Sequence, residues 1–232
     1  MRDVHSVGLA RRRNLYLSLP SIAQNMLSGA KGQLFRLMEV NLSTICILTT
    51  LINRMIKASD YLASFLKKKK IEHVFGIQGG AVVHLFDSIQ KLSGLQPIYC
   101  HHEQAAALAA TAYSKINHKV GCAITTTGPA TTNALTGLLA AWQDSNPVIF
   151  ISGQTRIEHT SYNKKVRQVG SQEFNILDIV APITKFSAVV KKASQLPDIL
   201  EEAYKICLIG RQGPVWIDFP VNIQWETFKR ET

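Results

Sequence analysis

At 232 residues, the chain is long enough for one α/β domain of ordinary size plus an extension. Its 46% hydrophobic and 18% charged content excludes a disordered polypeptide. The net charge of +10 comes from seven Lys/Arg against two acids in residues 1–54 and 19 against 14 in residues 55–232, with no basic stripe interleaved with aromatics, so no nucleic-acid partner is implied.

Residues 1–54 show no sustained helix or strand period. Arg11-Arg12-Arg13 is followed by a Leu/Ser mixture, and the longest apolar run, Ile45 to Ile52, is far short of the roughly 20 residues a membrane span requires. No small-residue cleavage site follows that run, which argues against a secretory signal. Three readings fit this leader: an organelle transit peptide, an ordered extension, or upstream sequence before a true start at Met55. The abrupt change of pattern at Met55 favours the last. Cys46, Cys100, Cys122 and Cys207 have no short pair spacing, so neither a zinc site nor a redox pair is expected. A cytoplasmic setting follows as the default, or an organelle if residues 1–54 are a transit peptide.

From Met55 the pattern alternates between helix and strand over 55–232. A helix is predicted over Ala58–Lys69, with Ala58, Leu62, Phe65 and Leu66 on one face. A strand at His73–Phe75, a glycine turn at Gly76–Gly80 and a helix from Ala81 to Lys91 follow. Pro97–Cys100 reads as a short strand leading into His102-Glu103-Gln104 and an Ala-rich helix, Ala105 to Tyr113. The strand Val120–Thr126 enters the turn Thr127-Gly128-Pro129, and a helix is predicted over Ala130–Gln143. Pro147–Ser152 is a continuous apolar run, the mark of a strand covered on both faces. A long polar loop, Gln154–Gly170, precedes a short helix at Phe174–Val180. A strand at Ile183–Val190, a helix at Ser194–Ile209 and a strand at Pro214–Phe219 complete the pattern. The predicted fold is α/β: an open, mainly parallel six-stranded sheet with helices on both faces.

Ligands of such sheets bind beyond the carboxyl ends of the strands. Four groups fall at those ends: Gly76–Gly80, His102–Gln104, Thr126–Asn133 and Ser152–Gln154. Glu103, between a strand and a helix of small residues, is expected to be buried and therefore to need a partner. Gly76-x-x-Gly79-Gly80 is not the dinucleotide fingerprint, and a turn selected for positive φ accounts for it equally well. The turn at Thr127 lacks a Walker lysine, although a helix start there offers backbone N–H groups to a polar ligand. His101, His102 and Glu103 are adjacent and diverge, so no metal site is expected. No Gly-x-Ser-x-Gly nucleophile motif is present.

The order of these motifs is itself informative. Gly76-Ile77-Gln78-Gly79-Gly80, His102-Glu103-Gln104, Thr127-Gly128-Pro129-Ala130-Thr131-Thr132-Asn133, Trp142-Gln143-Asp144-Ser145-x-Pro147, Ser152-Gly153-Gln154, Gln172-Glu173, Ile183-Thr184-Lys185 and Gly210-Arg211-Gln212-Gly213-Pro214-Val215-Trp216-Ile217-Asp218 occur in sequence. The series resembles the N-terminal pyrimidine-binding domain of thiamine-diphosphate enzymes, and specifically the acetolactate synthase-like branch. It covers nearly all of 55–232 and none of 1–54.

The resemblance implies that Glu103 is catalytic, hydrogen-bonding N1′ of the cofactor's aminopyrimidine ring, in a site that decarboxylates 2-oxo acids. It implies further cofactor contacts from Ile77, Gly79, Pro129, Asn133 and Gln154, and places Gln172 and Lys185 on the substrate side. Ile77 and Gln78 stand where the family often has Tyr and Pro. Ser171 replaces the Phe that precedes the glutamine in acetolactate synthases, and the loop before it is longer. The family holds the cofactor's diphosphate and Mg²⁺ on a second domain marked by Gly-Asp-Gly, a sequence absent here, and its FAD contacts lie mainly in other domains. The resemblance thus implies a homo- or hetero-oligomer formed through this domain, with the diphosphate-binding domain supplied by another subunit or by a longer chain. A non-catalytic interaction module that keeps the fold is the alternative.

Overall fold

The structure is a computed structural model, and it describes residues 55–229; the predicted leader lies outside the described residues. All six predicted sheet strands are present: β2 (His73–Gly76), β3 (Gln96–Tyr99), β4 (Gly121–Thr125), β5 (Val148–Gln154), β6 (Phe186–Val189) and β7 (Val215–Pro220). They form one parallel sheet in the order β3-β2-β4-β5-β7-β6. A second, antiparallel pair joins β1 (Met55–Lys57) to β8 (Thr227–Lys229), tying the two ends of the described chain together. The sequence did not indicate this pair, because three-residue strands carry no readable period.

Alternation along the central strands divides the core into two layers. Cys122 and Ile124, Ile149 and Ile151, and Val215, Ile217 and Phe219 face one way. They pack against Leu62 and Leu66 of α1 (Ala58–Lys68), Leu85 and Ile89 of α2 (Val83–Lys91), and Leu200 and Cys207 of α7 (Leu196–Leu208). Ala123, Val148, Phe150 and Trp216 face the other way, with Phe150 and Trp216 stacked at 5.4 Å. There they meet Ala107 and Ala110 of α3 (Glu103–Asn117) and Leu138 and Ala141 of α5 (Leu135–Gln143), with Val180 of α6 (Leu177–Val180). A one-residue slip would exchange the two layers, setting Phe150 and Trp216 where Ile149, Ile151 and Ile217 now pack.

The predicted helix over Ala130–Gln143 is in fact two. A short α4 (Pro129–Asn133) ends at Ala134, and α5 starts at Leu135. The break lets Asn133 project from the end of a single turn instead of following the axis of α5. A last short helix, α8 (Val221–Trp225), leads into β8.

Small residues set the spacing of the second layer. A Cβ at Gly137 would lie 2.4 Å from Ala107 Cβ, and one at Gly121 would lie 2.3 Å from the Ala110 carbonyl oxygen. α3 can therefore lie against both α5 and β4 only because these positions lack side chains. In an exposed helix, glycine to alanine stabilises by about 0.5–1 kcal/mol. At Gly137 the sign should reverse: Gly137→Ala should cost roughly 1–3 kcal/mol and lower the thermal midpoint by several degrees. A midpoint raised by the substitution would contradict this close packing.

Candidate functional site

Strand order assembles the site. β3, β2, β4 and β5 are neighbours, so the segments leaving their carboxyl ends stand side by side. α2 returns along one face of the sheet while α3, α4 and α5 occupy the other. The loops after β2 and β4 thus diverge, which makes a topological switch point, the usual crevice for ligands in open α/β sheets.

Glu103 is the first residue of α3, and His102 is its N-cap, with Nδ1 accepting from the Gln104 N–H at 3.1 Å. A carboxylate in the first turn is favoured by the helix dipole. Asn133 Nδ2 donates to Glu103 Oε2 at 3.0 Å, so the structure brings these two predicted residues together. Among the described residues nothing hydrogen-bonds Glu103 Oε1. The expected burial of Glu103 is corrected: it is half-buried, because α3 starts beyond the sheet edge and not beneath it.

The glycine turn also needs a different explanation. Gly76, Gly79 and Gly80 do not have positive φ; Gly79 is extended at −168°. Gly76 and Gly79 serve close approach, whereas a Cβ at Gly80 would meet nothing within 4 Å. A Cβ at Gly76 would lie 2.4 Å from the Ile124 carbonyl oxygen, and one at Gly79 would lie 2.5 Å from Thr126 Cβ. The turn is pressed onto the end of β4, and Gln78 Nε2 donates to Tyr99 OH at 2.9 Å, which holds it against β3. Ile77 is half-buried within it. Gly128 does have positive φ, at 73°, and it starts α4 with Pro129 at the first turn, where proline's missing N–H is not needed.

Gln154 is placed at the same edge but inside it, 1% exposed. Its oxygen accepts from Thr127 Oγ1 and from the Thr155 N–H, both at 2.9 Å. Its nitrogen donates to the Phe174 carbonyl at 3.1 Å and to Asp218 Oδ2 at 3.3 Å. With all four hydrogen-bonding positions committed, Gln154 organises the edge from behind. Gln172 is exposed and lies directly against Gly128, whose Cβ, if present, would meet the Gln172 carbonyl at 2.8 Å.

Lys185 is not brought to this site. It immediately precedes β6, at the amino edge of the sheet, and its N–H donates to the Pro214 carbonyl at 2.8 Å. Its ammonium donates to the Ile209 carbonyl at 2.5 Å, closing the end of α7. Within this chain Lys185 thus stands on the sheet edge opposite Glu103.

The sequence reading missed Asp218. It ends a run of apolar strand residues and has no exposed surface. Ser152 Oγ donates to Oδ1 at 2.5 Å, while Gln154 Nε2 and the Tyr162 hydroxyl donate to Oδ2. Trp216 Nε1 in turn donates to Ser152 Oγ at 2.9 Å. Burial raises the Asp218 carboxyl to about 6, although the bonds from Ser152, Tyr162 and Gln154 pull it back down. Burial and the facing Asp218 charge push the Tyr162 hydroxyl well above its ordinary value, so it stays protonated and donates. The visible signal was an acid in the buried strand Val215–Pro220.

Among the described residues no cluster of His, Cys, Asp or Glu is placed to hold a metal ion, and no helix is long and apolar enough to cross a membrane.

A six-stranded parallel α/β sheet with a switch point at its carboxyl edge is a class of domain that binds ligands at that edge. Residues 56–179 match the family described as thiamine pyrophosphate enzyme, N-terminal TPP binding domain. The chain belongs to this family, in its acetolactate synthase-like branch. It is 38% identical over 176 residues to the acetolactate synthase large subunit of Haemophilus influenzae, covering 76% of this chain and 30% of that protein. The Lactococcus lactis large subunit is 38% identical over 165 residues, covering 71% of this chain and 28% of that protein. The isozyme 3 large subunit of Escherichia coli is 32% identical over 169 residues, covering 73% and 28%. The chain thus spans under a third of the length of the relatives it matches.

The buried acid predicts a pH dependence. A carboxyl raised from 3.8 to about 6 by folding gives its full stability below the unfolded value, and loses it as pH rises through the folded one. The loss is on the order of 3 kcal/mol. Urea unfolding at pH 4 and pH 7 should show wild type losing this contribution and Asp218→Asn keeping it. Parallel pH profiles for the two proteins would contradict a raised carboxyl.

Proposed function

We propose that this chain supplies the pyrimidine-binding half of a thiamine-diphosphate-dependent enzyme acting on 2-oxo acids, with Glu103 as its catalytic residue. The observation that carries this reading is the geometry of Glu103. One oxygen is held by Asn133 at 3.0 Å, and the other has no hydrogen-bond partner among the described residues. Such a carboxylate suits a ring nitrogen that must share a proton.

The residues present fit the group. Asn133 orients Glu103, while Gly79, pressed on Thr126, keeps the neighbouring wall free of side chain. Ile77 and Pro129 offer apolar contact at the same edge. Thiamine diphosphate, when bound, supplies a nucleophilic carbon and an electron sink for decarboxylation. This chain's part is to bind the pyrimidine end and to hold a proton at Glu103 Oε1. Gln172 stands on the substrate side of the same edge.

The diphosphate and Mg²⁺ belong, in this reading, to a partner domain. Half-burial of Glu103 supports that, because proton sharing at a ring nitrogen requires a dry site and this domain alone leaves the carboxylate partly wet. α3 and α5 also expose Leu108, Ile116, Leu139 and Trp142, apolar side chains suited to a covering domain. The partner is a second protein domain or subunit, in a homo- or hetero-oligomer.

The test combines the chain with a diphosphate-binding domain carrying Gly-Asp-Gly, thiamine diphosphate, Mg²⁺ and pyruvate, and measures carbon dioxide release. Glu103→Gln should lower the rate by about 10²–10⁴-fold. Asn133→Ala, which leaves the carboxylate but not its orientation, should cost less. Equal turnover by wild type and Glu103→Gln would overturn the assignment.

A further inference from the structure

The segment between β5 and α6 is held by two buried carboxylates. Asp218, within β7, accepts from the Tyr162 hydroxyl. Glu173, 3% exposed, accepts at Oε1 from the Ser161 N–H at 2.8 Å and the Ser161 hydroxyl at 2.6 Å. Its Oε2 accepts from the Val169 N–H at 3.1 Å, so one side chain ties together both ends of the loop 161–169.

Backbone conformation points to the same two places. Asn163, directly after Tyr162, has φ 61°, and Gln172, directly before Glu173, has φ 57°. Left-handed backbone is uncommon outside glycine and persists where surrounding contacts impose it. Here those contacts are the two carboxylates.

The held segment is also fastened to the candidate site. Thr127 Oγ1 lies 3.3 Å from the Gln172 carbonyl and 2.9 Å from Gln154 Oε1. Gln154 Nε2 reaches Asp218, the same acid that holds Tyr162. One circuit therefore runs from Tyr162 through Asp218 and Gln154 to Thr127, and from there into the turn that carries Asn133.

We propose that Tyr162 is a positioning residue whose bond to Asp218 latches residues 160–173 onto the sheet edge, keeping Gln172 and the turn 126–133 in place around Glu103. The latch stands on these contacts alone; its bearing on a cofactor or substrate rests on the function proposed above. The phenol suits this task because it reaches from the loop surface to a carboxylate inside the sheet layer and meets it with a charge-assisted bond. Phenylalanine fills the same volume without the donor, so it removes the latch and not the packing.

Amide hydrogen exchange of the full chain tests this. Tyr162→Phe should raise exchange at least tenfold in residues 160–173 and measurably in 126–133, leaving α1 and α7 at wild-type rates. Trypsin should cut faster at Lys164, Lys165 and Arg167, with cleavage at Lys67 and Lys68 unchanged as internal reference. Asp218→Asn, which keeps one oxygen for the phenol, should give a smaller rise in the same two segments. Wild-type exchange in 126–133 with Tyr162→Phe would overturn the proposal, as would an equal rise in α1 and α7. No cofactor enters the measurement, so its failure leaves the role of Glu103 standing, and failure of the Glu103 assay leaves the latch standing.

Discussion

A carboxylate with no exposed surface must have its lost hydration replaced by the protein around it, and Asp218 makes that demand on several segments at once. Ser152 and Gln154 answer from β5, and Tyr162 answers from the long loop. Two of these donors are also engaged elsewhere: Ser152 by Trp216 across the stacked core, Gln154 by Thr127 and Phe174. The carboxyl edge of the sheet is therefore a connected polar network and not a row of separate turns. Such a network is rigid only while every member is satisfied, since one missing donor leaves a buried charge uncompensated.

Close approach does comparable work on the apolar side. Gly137 against Ala107, Gly121 against Ala110, Gly76 against Ile124 and Gly79 against Thr126 all bring elements nearer than any side chain would allow. Their effect reaches the site directly. Because α3 lies tight on α5 and β4, its first residue and the end of α4 come within hydrogen-bond distance. The Glu103–Asn133 contact thus depends on small residues elsewhere in the packed layer, not on a local motif.

Most of the sheet was legible in the sequence because its strands are continuous apolar runs punctuated by glycine and proline, and a parallel sheet covered on both faces demands such runs. Glu103 and Asn133 were each legible through the order of motifs, as separate contacts to a pyrimidine ring, but the bond between them was not. What escaped was information that order along a chain does not carry. Lys185 follows a recognisable motif, yet motif order says nothing about which edge of a sheet a residue reaches, and the residue before a parallel strand necessarily stands at the amino edge. Glycines in a turn suggested positive φ, whereas contact with a neighbouring strand is the constraint, and that neighbour is remote in sequence. Asp218 lies inside the predicted strand, but it was given no role because its donors come from segments 56 to 66 residues away.

Glu103 and Asp218 are both acids at the carboxyl edge of one sheet, and their fates separate by a short distance in depth. Asp218 belongs to a strand, so its side chain enters the layer between sheet and helices, where both oxygens are consumed by protein donors and burial resists its charge. Glu103 belongs to a helix that begins past the strand ends, so it keeps solvent on one side and one oxygen uncommitted. An acid whose hydrogen bonds are all made can hold a fold together but has nothing to offer a ligand. An acid that is oriented by one bond and left open at the other has the reverse property. The division between holding the edge and serving it therefore follows from which element carries each carboxylate, before any ligand is considered.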